Sequence, residues 1–434
     1  MLALYSIIFL RLLFLSSSLF WPLACVIFLF YFLTITNSFF GSSISYAVSY
    51  IIIDPVTLFI VFLLFCIIFL SYLCALEFKS TYIMAQVFLF LSFFCYQVFS
   101  SSHLFLIYFF YEASLIPIFY IIVKWGSYPE RSVRAIIILV YTLIFGAPVL
   151  VLIIVLNRDY GNWYLGLFDA KPFSLLFSIF IFLCFSVKLP IYGLHFWLPI
   201  AHVEAPTFGS VILARVLLKL GGVGLLRYGI FMNILAIKSS ILSYFLIFII
   251  FSSLVCCYQS DIKRLIAYSS VAHMMVIPFL IMADNLLAVQ RVILIMFLHG
   301  LSSTLLFISV GILYSIFSSR QLVLIRGLLV ISPLFRILLI FTFLFSLSAP
   351  PFPSYVAEVF FLLASYFLTP DFIYVVFLFA FLGLVYNLNW LRSILFSSRL
   401  DIAFRLSSLK LSQFLPLAGT LLILIPFLLS FLML

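Results

Sequence analysis

The chain has 434 residues, of which 67% are hydrophobic and only 8% charged, with a mean hydropathy of +1.40. So little charge cannot furnish the polar shell of a soluble protein of this size, and apolar runs of about 18 residues or more, each long enough to cross hydrocarbon, recur from end to end. A soluble enzyme is excluded; the chain reads as all-α, a polytopic transmembrane helical protein whose chemistry lies within the bilayer or in partner chains. The net charge of +10 taken alone suggests nucleic acid or anionic lipid. Basic residues marking the loops of one membrane face explain it more simply, and no nucleic-acid partner is expected.

Taken in chain order, the sequence divides into fourteen spans: 2–15, 19–36, 51–73, 82–99, 104–123, 133–156, 173–194, 207–230, 239–259, 263–282, 286–317, 334–368, 372–392 and 413–434. The first carries Arg11 and has neither a small-residue cleavage motif nor the Arg-rich amphipathic pattern of an imported precursor, so it reads as a retained helix. The longest polar interruptions, Asn157 to Pro172 and Ser397 to Gln413, are too short for an aqueous domain. The 56 phenylalanines fit an AT-rich, organellar gene. Seven cysteines show no CxxC or CxxCH spacing, so no bound metal, iron–sulfur cluster or haem is expected.

Charge tests the division. Loops after odd-numbered spans hold Lys79, Lys124, Arg131, Arg134, Lys263, Arg264, Arg320, Arg326, Arg336, Arg392, Arg399, Arg405 and Lys410. Loops after even-numbered spans hold only Arg158, Lys171, Arg227, Lys238 and Arg291. The positive-inside rule predicts this asymmetry for a correct count and puts both termini on the outer face.

Spans seven and twelve are predicted to break. Span seven carries Pro190 directly after Lys188-Leu189, and span twelve carries Pro350, Pro351 and Pro353 in SAPPFPSYVAE. Proline removes a helical N–H and clashes one turn back, and broken backbone at membrane depth is tolerated only inside protein or beside a wet cavity. Paired interruptions in two halves point to the transport site of an inverted-repeat protein. We therefore expect two five-helix repeats, residues 82–230 and 239–392, flanked by N-terminal helices in 1–81 and by a loop and last helix in 393–434. Glu112 to His273 spans 161 residues and Lys188 to Glu358 spans 170, offsets similar enough to suggest duplication.

Beyond the basic residues counted with the loops, four more (Arg11, Lys188, Arg215, Lys219) fall inside these spans, as do the acidic Glu112 and Glu358. A charge at mid-helix costs about 2.5–3.5 kcal/mol on insertion scales, so each needs a reason. Helix-pairing salt bridges are one. The other is proton traffic: burial favours the neutral form of either side chain and an opposite charge nearby favours the ionised one, so such a group is switched by the position of its partner. His273 and His299 lie in the following spans; each alone reads as a packed core residue, but imidazole titrates closest to neutrality and suits a relay. Ser269, Ser270, Ser302, Ser303 and Thr304 supply hydroxyls nearby. His195 and His202, seven residues apart, would share a helix face but for Pro199 between them; metal binding there is not favoured. Glu204 reads as an anchor for the re-entry loop, and Glu130 and Arg131 as solvated loop charges.

The stretches FFYEASLIP, WGSYPER, VKLPIYGLHFWLPIAHVEAPTFGS, LLKLGG, QSDIKRLIAYSSVAHM, MFLHGLSSTLLF and PPFPSYVAEVFF occur in this order over about residues 104–395. Together they resemble the subunit-4 family of mitochondrial NADH:ubiquinone oxidoreductase, among the antiporter-like membrane subunits of respiratory complex I. The resemblance implies a fourteen-helix fold with two inverted five-helix repeats and broken helices seven and twelve. It also implies proton translocation across the mitochondrial inner membrane, driven by quinone reduction elsewhere. Motif by motif, Glu112 and Lys188 become a coupling pair, Lys219 a central lysine, His273 and His299 a relay, and Glu358 the outlet. His195, His202, Glu204, Arg215, Asp261, Lys263, Ser302 and Ser303 become supporting residues. FMN, iron–sulfur clusters and ubiquinone are expected in other subunits. The implied partners are neighbouring antiporter-like and other membrane-arm subunits, with inner-membrane phospholipids such as cardiolipin. Two departures stand out: Ile200 where the family's motif has lysine, and Arg215 as an extra charge near Lys219, placed either to repel it or to reach Glu204. A cation/proton antiporter subunit of the same fold and a purely structural spacer remain alternatives.

Overall fold

A computed structural model of the chain describes residues 46–48, 51–53, 55–75, 81–126, 128–160, 175–228, 238–282, 286–325, 333–350, 352–368 and 371–395. The expected spans 2–15, 19–36 and 413–434 lie outside the described residues, as does Pro351. Eleven of the fourteen spans are represented, and nearly all described backbone is helical.

The described chain opens with a short antiparallel hairpin, β1 (Tyr46–Val48) and β2 (Ile51–Ile53), where the sequence predicts the start of span three. The helix begins only at Pro55: α1 (Pro55–Ala75) has proline at its first position, where the missing N–H costs nothing. Then come α2 (Thr81–Ser100), α3 (Leu104–Ala113), α4 (Leu115–Trp125), α5 (Arg131–Tyr160), α6 (Leu175–Lys188), α7 (Trp197–Glu204) and α8 (Thr207–Ile212). A π-helical turn at Leu213–Leu217 joins α8 to α9 (Leu218–Tyr228). The second half holds α10 (Lys238–Cys257), α11 (Ile262–Met274), α12 (Val276–Met282), α13 (Leu286–Phe317), α14 (Pro333–Ser346), α15 (Pro353–Leu368) and α16 (Phe372–Leu395).

Both predicted breaks are present. α6 stops at Lys188, and the chain turns before α7; α14 stops at Ser346, and the chain turns before α15. Spans five and ten are interrupted as well, at Ser114 between α3 and α4 and at Met275 between α11 and α12. Pro117 and Pro278 cause this: each lacks the N–H that would bond one turn back, to a carbonyl just before the interruption. Glu112 and His273 each lie two residues before their interruption and five before the proline, so these two residues do occupy matching places. Lys188 and Glu358 do not. Lys188 is the last residue of a 14-residue first half and its positional counterpart is Ser346, the last residue of the equally long α14, whereas Glu358 follows the second break.

Seven described helical stretches are long and apolar enough to cross a membrane. Their burial separates core from periphery: within an apolar 18-residue window of each, 94% of residues are buried in Thr207–Tyr228, 89% in Arg291–Phe317 and 83% in Ile262–Met282, against 28% in Arg131–Arg158 and 22% in Phe372–Leu395. The helices bearing Lys219, His273 and His299 are thus the interior ones. α5 and α16 turn apolar side chains outward, as lipid or neighbouring chains require.

Candidate functional site

The break after α6 builds the first part of the site. Pro190 cannot continue the helix, so the carbonyls of its last turn need other donors. Trp197 Nε1 donates to the Val187 carbonyl at 2.8 Å, and the Tyr111 hydroxyl donates to that of Cys184 at 3.1 Å. At the end of the helix, Lys188 is 1% exposed. Its Nζ donates to the Tyr111 carbonyl at 2.6 Å and lies 3.2 Å from the centre of the Tyr111 ring. A carbonyl and an aromatic face, not a carboxylate, therefore meet the ammonium charge. The neighbouring residue Glu112 is within electrostatic reach of Lys188, yet both its carboxylate oxygens are buried without a hydrogen-bond partner. No Glu112–Lys188 contact within 4.0 Å occurs among the described salt bridges. The expected pair is brought together but stands open.

Lys219 lies on α9, one residue past its start and just beyond the π-helical turn, a local widening of the helix that often marks functional sites. It is fully buried and its Nζ donates to the Ala214 carbonyl of that turn at 3.1 Å. Two residues on, Gly221 allows α9 to press on the broken end of α6: a Cβ there would lie 2.7 Å from the Leu189 nitrogen and 2.8 Å from the Phe185 carbonyl oxygen. The two lysines' helices are locked together at this point.

Arg215 does not reach Glu204. Its Nε donates to the Gly300 carbonyl at 2.5 Å and its Nη2 to that of Leu301 at 3.3 Å, so it ties the π-helical turn to α13. It also acts on Lys219 as a like charge. A Cβ on Gly300 would lie 3.5 Å from Lys219 Cε, so the lysine runs along α13 beside His299. His299 has an unpartnered Nε2, and its ring centre is 5.6 Å from that of His273.

His273, His299, Ser302 and Glu358 line one cavity of about 50 Å³, with Ser346, Ser348 and Ser354 from the second break around it. This is roomy and polar enough for water. The Ser348 hydroxyl donates to Glu358 Oε1 at 2.5 Å. Ser303, Ser269, Ser270 and Thr304 bond back to carbonyls of their own helices, do not line the cavity, and leave the sequence's hydroxyl-rich relay resting on Ser302 and the break serines.

The supporting residues form a second cluster around α7. Glu204 Oε1 pairs with Arg134 Nη1 at 2.8 Å, and Arg134 also binds Glu130 at 2.5 Å. Glu204 thus anchors α7 as expected, while Glu130 stays largely solvated and pairs with Arg134 at the surface. Lys263 Nζ donates to the Ala205 carbonyl at 2.9 Å and Arg320 Nη1 to that of Val203 at 2.7 Å, cations placed where helix C-terminal carbonyls favour them. Asp261 caps α11 by accepting the Lys263 N–H at 3.0 Å. His195 and His202 have separate surroundings. His195 accepts from the Gly193 N–H in the turn before α7, and His202 stacks on Phe307 with centres 4.7 Å apart and both ring nitrogens unpartnered. Ile200 is half-buried on α7. Sequence reasoning missed Tyr111, Ser348 and Gly300, although each lies within a quoted stretch, and read Arg320 only as a loop charge.

Comparison with known proteins places this geometry. Residues 101–383 match the family model described as NADH:quinone oxidoreductase/Mrp antiporter, transmembrane. The chain belongs to this family. Among curated relatives of the family, the NADH-ubiquinone oxidoreductase chain 4 of Chondrus crispus is 37% identical over 307 residues, covering 69% of this chain and 62% of that one. The chain 4 of Marchantia polymorpha is 38% identical over 323 residues, covering 71% and 64%. The chain thus spans somewhat under two thirds of the length of these relatives. The fold is also that of a chain in respiratory complex I from Thermus thermophilus, with TM-score 0.81, 19% identity and coverage of 92% and 88%. A chain of the membrane-bound sulfane sulfur reductase, an archaeal respiratory membrane complex, matches with TM-score 0.82, 16% identity and coverage of 94% and 71%.

Proposed function

We propose that the chain is a proton-translocating membrane subunit of a respiratory NADH:ubiquinone oxidoreductase, multi-pass in the mitochondrial inner membrane. The residues in 82–230 and 239–392 act as its two repeats. In this reading the redox reaction, with its FMN, iron–sulfur clusters and quinone, belongs to other subunits, and neighbouring membrane-arm subunits and inner-membrane phospholipids such as cardiolipin surround the chain. The names of the relatives support the assignment to that complex.

The observation that carries the mechanism is the shared cavity of His273, His299, Ser302 and Glu358, reached from Lys219 along α13. Closing of Glu112 on Lys188 holds the lysine's proton in place; parting of the two lets Lys188 give it up towards Lys219. From Lys219 the proton moves through His299, His273 and water in the cavity to Glu358. The buried Arg215 charge opposes a second charge on Lys219, which favours onward release. Lys219→Ala in the assembled complex should abolish this subunit's contribution to pumping while the complex still assembles and oxidises NADH. A wild-type proton-to-electron ratio in that variant would sink the reading. Sodium transport by vesicles lacking any quinone reductase would favour the antiporter alternative instead.

A further inference from the structure

The Glu112 carboxyl rests against α5 at a place where that helix has no side chain. A Cβ built on Gly146 would lie 2.6 Å from Glu112 Oε1 and 3.3 Å from its Cδ, with the Tyr108 hydroxyl 3.5 Å away. These three nearest atoms are all side-chain ends, none of them backbone. Both carboxylate oxygens are buried and unbonded in this position, so no hydrogen bond fixes the side chain there. What fits the carboxyl into α5 is space, and the space is the missing methyl group of a glycine in mid-helix, where helix propensity would otherwise favour alanine. Meanwhile Lys188 is satisfied without the carboxylate, by the Tyr111 carbonyl and ring. Each partner thus has its own place when the two are apart.

We propose that Gly146 is a positioning residue for the Glu112–Lys188 switch, its absent Cβ forming the seat that holds the Glu112 carboxyl in the parted state. The inference rests on the reading of Glu112 and Lys188 given above and deepens it. A switch needs two arrangements of comparable free energy. The seat supplies the second, because a carboxyl excluded from α5 has only the lysine to approach. The Tyr108 hydroxyl stands at the rim of the seat.

The test uses the complete respiratory complex in its own membrane, reading the proton-to-electron ratio and the rate of NADH oxidation. Gly146→Ala displaces only a side-chain end, so the complex should assemble. The ratio should fall as far as in Glu112→Gln, because the carboxyl is held against Lys188. In a Glu112→Asp background, where the acid is one methylene shorter and clears the new methyl group, Gly146→Ala should have no further effect on the ratio that Glu112→Asp shows alone. A wild-type ratio in Gly146→Ala, or an equal further loss in the Glu112→Asp background, would overturn the seat, the latter marking a general packing defect. If Glu112→Gln itself pumps normally, the reading of the pair fails, and the seat with it.

Discussion

At Lys188 the ammonium is held by a backbone carbonyl and an aromatic face, while Glu112 next to Tyr111 keeps two unbonded oxygens. Lys219 is held by a single carbonyl from the π-helical turn, and Glu358 by the Ser348 hydroxyl. None of these groups is neutralised by a close counter-charge, the opposite of what helix-pairing salt bridges would give. Removing the Ser348 hydroxyl takes away a hydrogen bond worth about 1–3 kcal/mol. Ser348→Ala should therefore slow coupled turnover about fivefold or more in a pumping assay, with assembly unchanged; an unaltered rate would show that the Glu358 contact plays no part. His202 gives the contrasting case. Its ring stacks on Phe307 with no polar partner, and replacing an unpaired polar group by an apolar one of like shape is close to neutral. His202→Phe should leave the proton-to-electron ratio where it was, whereas a loss would assign the ring a polar role.

Among the elements, the broken helices were the most legible. Pro190 and the Pro350–Pro353 run mark backbone that cannot continue, whatever the tertiary context, and α6 and α14 end where those residues require. Pro117 and Pro278 carried the same information for spans five and ten, but the uninterrupted apolar run around each masked it. The β1–β2 hairpin, the extension of α5 to Tyr160 and the π-helical turn were not legible, because apolar content tells depth and not local winding. Contacts between distant helices, such as Glu112 against Gly146, leave no spacing signal at all. Two element-level tests follow from the donors that complete broken or ending helices. Trp197→Phe leaves the Val187 carbonyl at the α6 break unsatisfied, a loss of about 1–3 kcal/mol, and should lower the thermal stability of the complex. Arg227 donates to the carbonyls of Val98, Phe99 and Ser101 at the end of α2. Arg227→Ala should reduce the amount of assembled complex on native gels without changing the proton-to-electron ratio of what assembles; a changed ratio would give Arg227 a part in proton movement.

For the whole molecule, the arrangement of burial decides the reading. The three most buried membrane-length helices carry Lys219, His273 and His299, and the two least buried, around α5 and α16, turn residues such as Ile144, Val151, Phe377 and Phe381 outward. Ionisable groups are thus gathered on the interior axis and kept from the apolar exterior, as the cost of bare charge in hydrocarbon demands. The helices of Lys188 and Lys219 meet at the α6–α9 contact, and Lys219 runs along α13 beside His299, so the groups follow one another across the molecule. The order of these residues was visible in the sequence, but their convergence on one cavity was not. The account requires that water join them during turnover. A map of the assembled complex resolving ordered water should show a hydrogen-bonded file from Lys219 past His299 and His273 to Glu358; a dry, side-chain-filled barrier between Lys219 and Glu358 in every turnover state would contradict it.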